Sequence, residues 1–426
     1  MPKVEIADVF RPGAMPSYTY INRLATTNGI TYEAKLRKAL AKTGSLVLIT
    51  GGTKTGKTVL CNKVVPREKI VRLSGSHIKT DDDFWKYAAE VLEIPDEIQE
   101  NELLQDMEEE KERYSGRVSV FSLIATVIGV EKRRSSTQGT SKTRKILRSN
   151  SLLTKIMIQG DYVLVIDDFH YIPKEVQLYL ARVLKTELFN GLKVVLLSLP
   201  HRADEAIKLN PDLIGRTSFI EVAPWTKTEL KEIAQKGFDC LHVPVDDSLL
   251  DYIAEESALS PLLMQENCFN LSFRLREKAT AGITKEDVKA AFTDTVEDNK
   301  SYKDIVQSIL NGPKKGRARR KQYKTRDGGS CEIYGLLLRS ISADPPVLSL
   351  KIKDIGTRRK DILAPSEKTF TSMSLGKIIK HAEEVANESI KEMEPLEWKD
   401  SVLYILDPFL LFYLRWDKNW KNQQES

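Results

Sequence analysis

Apolar residues recur along this chain in two rhythms. Between positions 45 and 222 several come as short runs, some with one charged residue inside: Ser45-Leu46-Val47-Leu48-Ile49-Thr50, Ile70-Val71-Arg72-Leu73, Tyr162-Val163-Leu164-Val165-Ile166, Leu192 to Leu197, and Ser218 to Val222. Continuous runs rich in Val and Ile predict strands covered on both faces, as in a parallel sheet. Helical spacing lies between the runs. Thr31 to Lys42 predicts an amphipathic helix stopped at Gly44, a C-cap signal. Asp81 to Leu92 carries Phe84, Trp85, Tyr87, Ala88 and Val91 as a core stripe. Pro173 suits the first turn of a helix running to about Leu188. Strands alternating with helices predict an α/β layer fold.

Beyond position 225 the strand rhythm stops. Thr226-x-x-Glu229 forms a capping box. The chain is then helical in pattern to about 300, including Asp247 to Glu255 and a helix from Pro261 that carries Leu262, Leu263, Met264 and Cys268. Asn311-Gly312-Pro313, the run Lys314-Lys315-Gly316-Arg317-Ala318-Arg319-Arg320-Lys321 and Asp327-Gly328-Gly329 read as a linker. Residues 331 to 420 predict a small α+β module. It has helices at Ile333 to Ser342 and Leu375 to Ala386, then a hairpin of Leu396 to Trp398 and Val402 to Leu406 turning at Lys399-Asp400. Helices followed by a hairpin suit a winged helix, in which the helix before the wing can enter the DNA major groove or the module can serve protein interaction or packing.

Composition narrows the classes. With 426 residues, two or three domains are expected. A net charge of +5, from 65 basic and 60 acidic residues, is too balanced to imply nucleic acid by itself. Cys61, Cys240, Cys268 and Cys331 are scattered, which points to a reducing compartment and away from a disulfide framework. No Cys/His cluster has zinc spacing. No signal peptide pattern is present, and the longest apolar run, Val118 to Val130, is too short to span a bilayer. These features lead to the expectation of a cytoplasmic protein with no membrane association. Residues 94 to 150 look like an insertion, acidic at Glu108-Glu109-Glu110 and basic from Lys132 to Arg148, with a loop-like centre at 135 to 143.

The chemistry concentrates after the first strand. Gly51-Gly52-Thr53-Lys54-Thr55-Gly56-Lys57-Thr58 fits G-x-x-x-x-G-K-[ST], and Val59 continues it into a helix. Glycines let successive N–H groups turn inward around phosphates, and the helix N-terminus adds partial positive charge. Gly51 to Val59 are therefore the expected phosphate contacts. Lys57 would reach the β- and γ-phosphates, and Thr58 would hold Mg²⁺. The strand ending Asp167-Asp168 supplies carboxylates at the edge where such sheets bind ligands. Asp167 would hold Mg²⁺, and Asp168 would orient or activate the attacking water. Ser198 ends the next strand, where it could sense a γ-phosphate or simply close the strand.

Phosphate loop, acidic strand, helical segment and winged-helix-like tail together resemble the AAA+/STAND ATPases, most of all the initiator-like and archaeal-type members. The resemblance implies a P-loop NTPase core at 31–224, a helical lid at 225–300, a basic linker at 301–330 and a winged-helix-like domain at 331–426. Residues 1–30 would form a lead-in, in which Tyr18-Thr19-Tyr20-Ile21-x-Arg23 resembles the family's adenine-side segment. Gly215-Arg216 falls where the family often places an arginine finger. Leu259-Ser260-Pro261 falls at its Gly-x-Pro, with Leu259 in the glycine's place and Pro261 near the base. Tyr404-Ile405-Leu406-Asp407-Pro408-Phe409 resembles the end of archaeal-type ATPases, and its apolar density implies packing rather than chemistry.

The resemblance implies an ATP-hydrolysing molecular switch that forms a homo-oligomer in the ATP state and acts on a separate effector, with prokaryotic anti-phage defence as a setting. ATP rather than GTP rests on the resemblance, since no N-K-x-D is present. The alternative is a DNA-bound initiator- or transposition-regulator-like ATPase, touching DNA through 314–326 and 331–420. Glu383, Glu384 and Glu388 on the reading helix oppose that alternative.

Overall fold

The computed structural model describes residues 4–25, 29–99, 120–128, 145–199, 211–277, 282–312, 320–367, 372–389 and 394–422. It divides into two compact units. One comprises 22–52 and 56–223, and the other 1–21, 53–55 and 224–426.

The first of these holds a five-stranded parallel sheet. Its strands are β1 (Leu46–Thr50), β2 (Ile70–Ser74), β5 (Val163–Asp167), β6 (Lys193–Ser198) and β7 (Thr217–Glu221), ordered β2-β5-β6-β1-β7. Each lies within a residue or two of an apolar run. Successive side chains of a strand point to opposite faces. Val47, Ile49, Val163, Val165, Val195 and Leu197 pack with helices Tyr32–Leu40 and Lys57–Val64. Leu46, Leu48, Leu164, Ile166, Val194 and Leu196 pack on the other face with helices Asp81–Val91, Asn150–Gln159 and Lys174–Phe189. Burying such a Leu, Ile or Val side chain contributes about 1.5–3 kcal/mol, so both sheet faces are anchored. Thr31 accepts the Ala34 N–H, and Thr80 closes a capping box with Asp83. Of the expected insertion, the described parts are a two-stranded pair, β3 (Glu97–Gln99) with β4 (Lys145–Leu147), and helix Val120–Ile128. The expected loop at 135–143 lies outside the described residues.

The second unit is mostly helical. Helices Lys227–Cys240, Asp247–Glu256, Pro261–Glu277 and Lys285–Asp298 form the segment expected as a lid, and the Thr226–Glu229 capping box is present. Part of the expected linker is instead ordered. Residues 302–311 form a helix because Tyr302, Ile305, Val306, Ile309 and Leu310 recur at helical spacing and are buried. β8 (Tyr323–Lys324) and β9 (Ser330–Cys331) then pair as a short hairpin. The basic stretch 314–319 lies outside the described residues.

The tail contains helices Ile333–Ile341, Ile352–Ile362 and Ser372–Ser389. Its three-stranded antiparallel sheet consists of β10 (Ser349–Lys351), β11 (Leu396–Lys399) and β12 (Val402–Ile405), in the order β10-β12-β11. This matches the winged-helix-like expectation and adds a strand and a helix to it. Helix Pro408–Trp416 closes the module, with Leu410, Leu411, Phe412 and Leu414 in one hydrophobic core shared with the lid helices.

Candidate nucleotide-binding site

Parallel order brings the C-terminal ends of β1, β5 and β6 to one edge of the sheet. Thr50 is in register with Ser198, and the Gly51 N–H reaches the Ser198 carbonyl at 3.3 Å. Gly56 has φ +94°, a left-handed conformation that glycine adopts without strain, and it opens helix Lys57–Val64. A helix opened by a residue with no side chain leaves its first N–H groups uncovered, the geometry that binds anions.

The Lys57 side chain is buried, and its Nζ donates to the carbonyls of Gly51 (2.9 Å) and Gly52 (2.8 Å). Burial lowers its pKa, while the charges of Asp167 and Asp168 oppose the shift. The ammonium is thus held dry at the loop, where phosphate oxygens would compensate it far better than water-exposed groups could. Thr58 Oγ1 donates to Asp167 Oδ2 at 2.8 Å. Asp167 Oδ1 accepts the Asp168 N–H at 3.0 Å.

Asp168 is half-buried and has φ +51°. Burial raises its carboxyl pKa, the neighbouring Asp167 raises it further, and Lys57 pulls it back. Gly75, just past β2, makes this position possible. A Cβ on Gly75 would lie 2.3 Å from the Asp168 carbonyl oxygen. Sequence reading missed Gly75. Its signal was the register of Ser74 with Asp167, which only the sheet order reveals.

Ser198 is 1% exposed, and its Oγ has no hydrogen-bond partner among the described residues. An orphaned buried hydroxyl at this edge has unused capacity to donate to a ligand oxygen. The donor set therefore fits a nucleoside triphosphate with a divalent cation. Lys57 and the Gly56-led helix start would face the phosphates, and Thr58 with Asp167 offers oxygens of the hard type that Mg²⁺ takes.

The remaining candidates separate. Arg216 is exposed at the opposite edge of the sheet, since Thr217 pairs with Leu46 at the start of β1 and the Arg216 carbonyl accepts Ser45 Oγ at 3.1 Å. One strand length, roughly 16 Å, separates the two edges. Arg216 therefore does not reach its own phosphate loop. Arg23 is fixed within the sheet unit, with Nη2 donating to the Ala223 carbonyl at 3.0 Å and the guanidinium 5.5 Å from the Tyr32 ring.

Tyr18 and Tyr20 belong to the helical unit, so the expected adenine-side segment is divided at Ile21. Tyr18 is 48% exposed, and the Tyr20 carbonyl accepts Lys236 Nζ at 3.3 Å. Between them Thr19 is buried, accepting a 2.6 Å bond from Gln265. Pro261 starts its helix after Ala258 and Leu259, both at positive φ (+47° and +58°). Leu259 thus holds a conformation suited to glycine, and Ser260 Oγ caps the Leu263 N–H at 3.3 Å.

Loop residues Thr53, Lys54 and Thr55 group with the helical unit. The Thr55 carbonyl accepts Trp225 Nε1 at 2.9 Å, and Lys54 Nζ lies 2.6 Å from Asp407 Oδ1. Asp407 sits in the tail stretch read as packing alone.

No protein-family model and no curated protein sequence matches the chain. Solved structures do. A Walker-type ATPase of Pyrococcus abyssi superposes with a TM-score of 0.51 at 15% identity, over 94% of this chain and 100% of that one. Cdc6p from Pyrobaculum aerophilum gives 0.43 at 14%, over 98% of each chain. The ADP form of the Orc2 protein of Aeropyrum pernix gives 0.46 at 12%, over 99% of each. The loop, the acidic strand and the first of these likenesses, which runs nearly end to end, agree: this chain has the fold of the P-loop, Walker-type ATPases.

Proposed function

We propose that this protein binds Mg-ATP and hydrolyses it, as a molecular switch of the AAA+/STAND type that controls assembly or a partner. The observation that carries the reading is the joined set Lys57, Thr58, Asp167 and Asp168 at one sheet edge, with Thr58 Oγ1 bonded to Asp167.

Lys57 would exchange the Gly51 and Gly52 carbonyls for β- and γ-phosphate oxygens, gaining charge-assisted bonds for neutral ones. The N–H groups following Gly56 would hold further phosphate oxygens. Thr58 and Asp167 would hold Mg²⁺, which supplies charge neutralisation on the β- and γ-phosphates. Asp168, its pKa raised by burial and by the neighbouring Asp167, would take the proton of the attacking water. Ser198 Oγ would donate to a γ-phosphate oxygen. Placement and charge stabilisation supply most of the catalysis in phosphoryl transfer, and this edge offers both.

Arg216 would serve a neighbouring subunit, a reading supported by its exposure at the sheet edge opposite its own phosphate loop. This favours a homo-oligomer in the ATP state. The effector would be a separate protein, and the anti-phage setting rests on family resemblance.

The DNA reading draws less support. Among the described cations of 314–326, Arg320 donates to the Leu310 carbonyl, Lys321 pairs with Glu367 and Arg326 donates to the Leu363 carbonyl. Those three charges already serve the tail's own fold, while Lys324 is exposed. Helix Ser372–Ser389 exposes Lys377, Lys380 and His381, with Glu384 and Glu388 also exposed. Phosphate release from ATP by wild type and Lys57→Ala, measured with and without duplex DNA, tests both readings. Loss in the variant with no DNA stimulation supports the switch. Hydrolysis raised several-fold by DNA moves the reading to a DNA-bound ATPase.

A further inference from the structure

Lys54 stands at the tip of the phosphate loop and holds two features that a solvent-facing lysine would not. Its backbone is left-handed, φ +59°, a conformation that is strained for a non-glycine residue and persists where surrounding contacts fix it. Its side chain is 24% exposed and ends on Asp407, which is 1% exposed, at 2.6 Å. The same ammonium lies 4.6 Å from the centre of the Phe409 ring.

Asp407 is itself held from three sides. Its Oδ1 accepts the Phe409 N–H at 3.0 Å and so caps helix Pro408–Trp416. Its Oδ2 accepts the Tyr302 hydroxyl. It is thus a rigid anchor joining the starts of two helices, Tyr302–Asn311 and Pro408–Trp416. A buried ion pair is seldom retained for stability alone, because desolvation offsets most of the attraction. This pair lies inside the helical unit, which includes loop residues 53–55. Lys54 lies between Gly52, whose carbonyl accepts Lys57 Nζ, and Gly56, which opens the phosphate-facing helix. Whatever fixes Lys54 fixes the path of the N–H groups between those glycines.

We propose that Asp407, in the tail, is a positioning residue for nucleotide binding: it holds the phosphate loop in its binding shape through the Lys54 ammonium. This deepens the Mg-ATP reading and rests on it. The tail then sets nucleotide affinity without touching nucleotide. A partner that displaces Asp407 from Lys54 would loosen the loop.

The test is a double-mutant cycle on the full chain. ATP and ADP dissociation constants are measured by titration for wild type, Asp407→Asn, Lys54→Met and the double variant, with Lys54→Arg as the conservative control. Each single substitution weakens binding about tenfold, the scale of a charged hydrogen bond. The double variant is no weaker than either single one, because both act through one contact. Lys54→Arg stays within about twofold of wild type. Melting without nucleotide reports folding separately. If Asp407→Asn does not fold, Asp407→Glu, which keeps the charge but lengthens the side chain, takes its place in the cycle. Unchanged dissociation constants in folded variants, or additive losses in the double variant, overturn the proposal while leaving the ATP reading intact. Failure of the wild type to bind either nucleotide overturns both.

Discussion

Asp168 combines a left-handed backbone with a carboxyl whose pKa burial has raised. Both are costs that an ordinary strand-end turn would shed. A carboxyl with a raised folded-state pKa weakens folding above its unfolded value, and the penalty is complete once pH exceeds the folded value. Asp168→Asn should therefore raise the melting temperature at pH 7 and leave it unchanged near pH 3, below the unfolded value of about 3.9. The same raised pKa should shift the acid limb of wild-type hydrolysis upward relative to a solvent-exposed carboxylate. Equal melting of the two proteins at pH 7 would contradict the burial argument. Gly75→Ala drives a Cβ into the Asp168 carbonyl. It should lower hydrolysis at least tenfold while ATP binding persists, as read by single-turnover rates against titrated affinity. At this scale the sequence was most legible where chemistry is covalently local. Lys57 and Thr58 stand in one motif, and Asp167-Asp168 ends one strand. Gly75 and Asp407 were not legible, because their partners are chosen by sheet register and by contacts 353 residues apart.

Elements were legible in proportion to their apolar contrast. The inner strands β1, β5 and β6 stand out because each is apolar on both faces, whereas β2 and β7 at the sheet edges bury fewer positions. Helix Ile352–Ile362 was missed because only Ile355 and Arg359 are buried along it, so no stripe shows. β10 was missed because three residues carry no period. Helix 302–311 was hidden by the basic run that follows it, although its buried residues do have helical spacing. Close packing also depends on absences that periodicity cannot display. Gly237 sits within helix Lys227–Cys240, and a Cβ there would fall 2.2 Å from ring carbons of Phe10, itself buried edge-on against Phe238. Gly237→Ala should destabilise the helical unit by about 1–3 kcal/mol, the usual cost of overpacking. Chemical denaturation measures this, and a neutral effect would mean that Phe10 can move aside.

For the whole molecule, the principal revision to the sequence reading concerns the lid and the tail. Read from sequence they are separated by a linker, yet they share one hydrophobic core. A buried ion pair crosses that core. Arg415 on the last long helix bonds Glu256 at 2.6 and 2.9 Å, and Trp416 Nε1 bonds Glu256 at 2.9 Å. Glu256→Ala removes two Arg415 bonds and the Trp416 bond, leaving the guanidinium on Asp344 and the Ser342 carbonyl, and should cost about 1.5–3 kcal/mol. It should lower the melting of lid and tail together, as read by calorimetry; two separate transitions would show that they fold apart. Arg216→Ala should leave ATP affinity unchanged and reduce hydrolysis only under conditions where subunits assemble.

The central claim, that this edge binds and hydrolyses Mg-ATP, is tested most directly by measuring ATP binding and phosphate release side by side in wild type and Asp168→Asn. Wild type should do both. Asp168→Asn should bind ATP with near wild-type affinity and release phosphate about 10²–10⁴-fold more slowly, the range for losing a general base. Wild type that binds no ATP, or an Asp168→Asn variant that hydrolyses at the wild-type rate, would contradict the account.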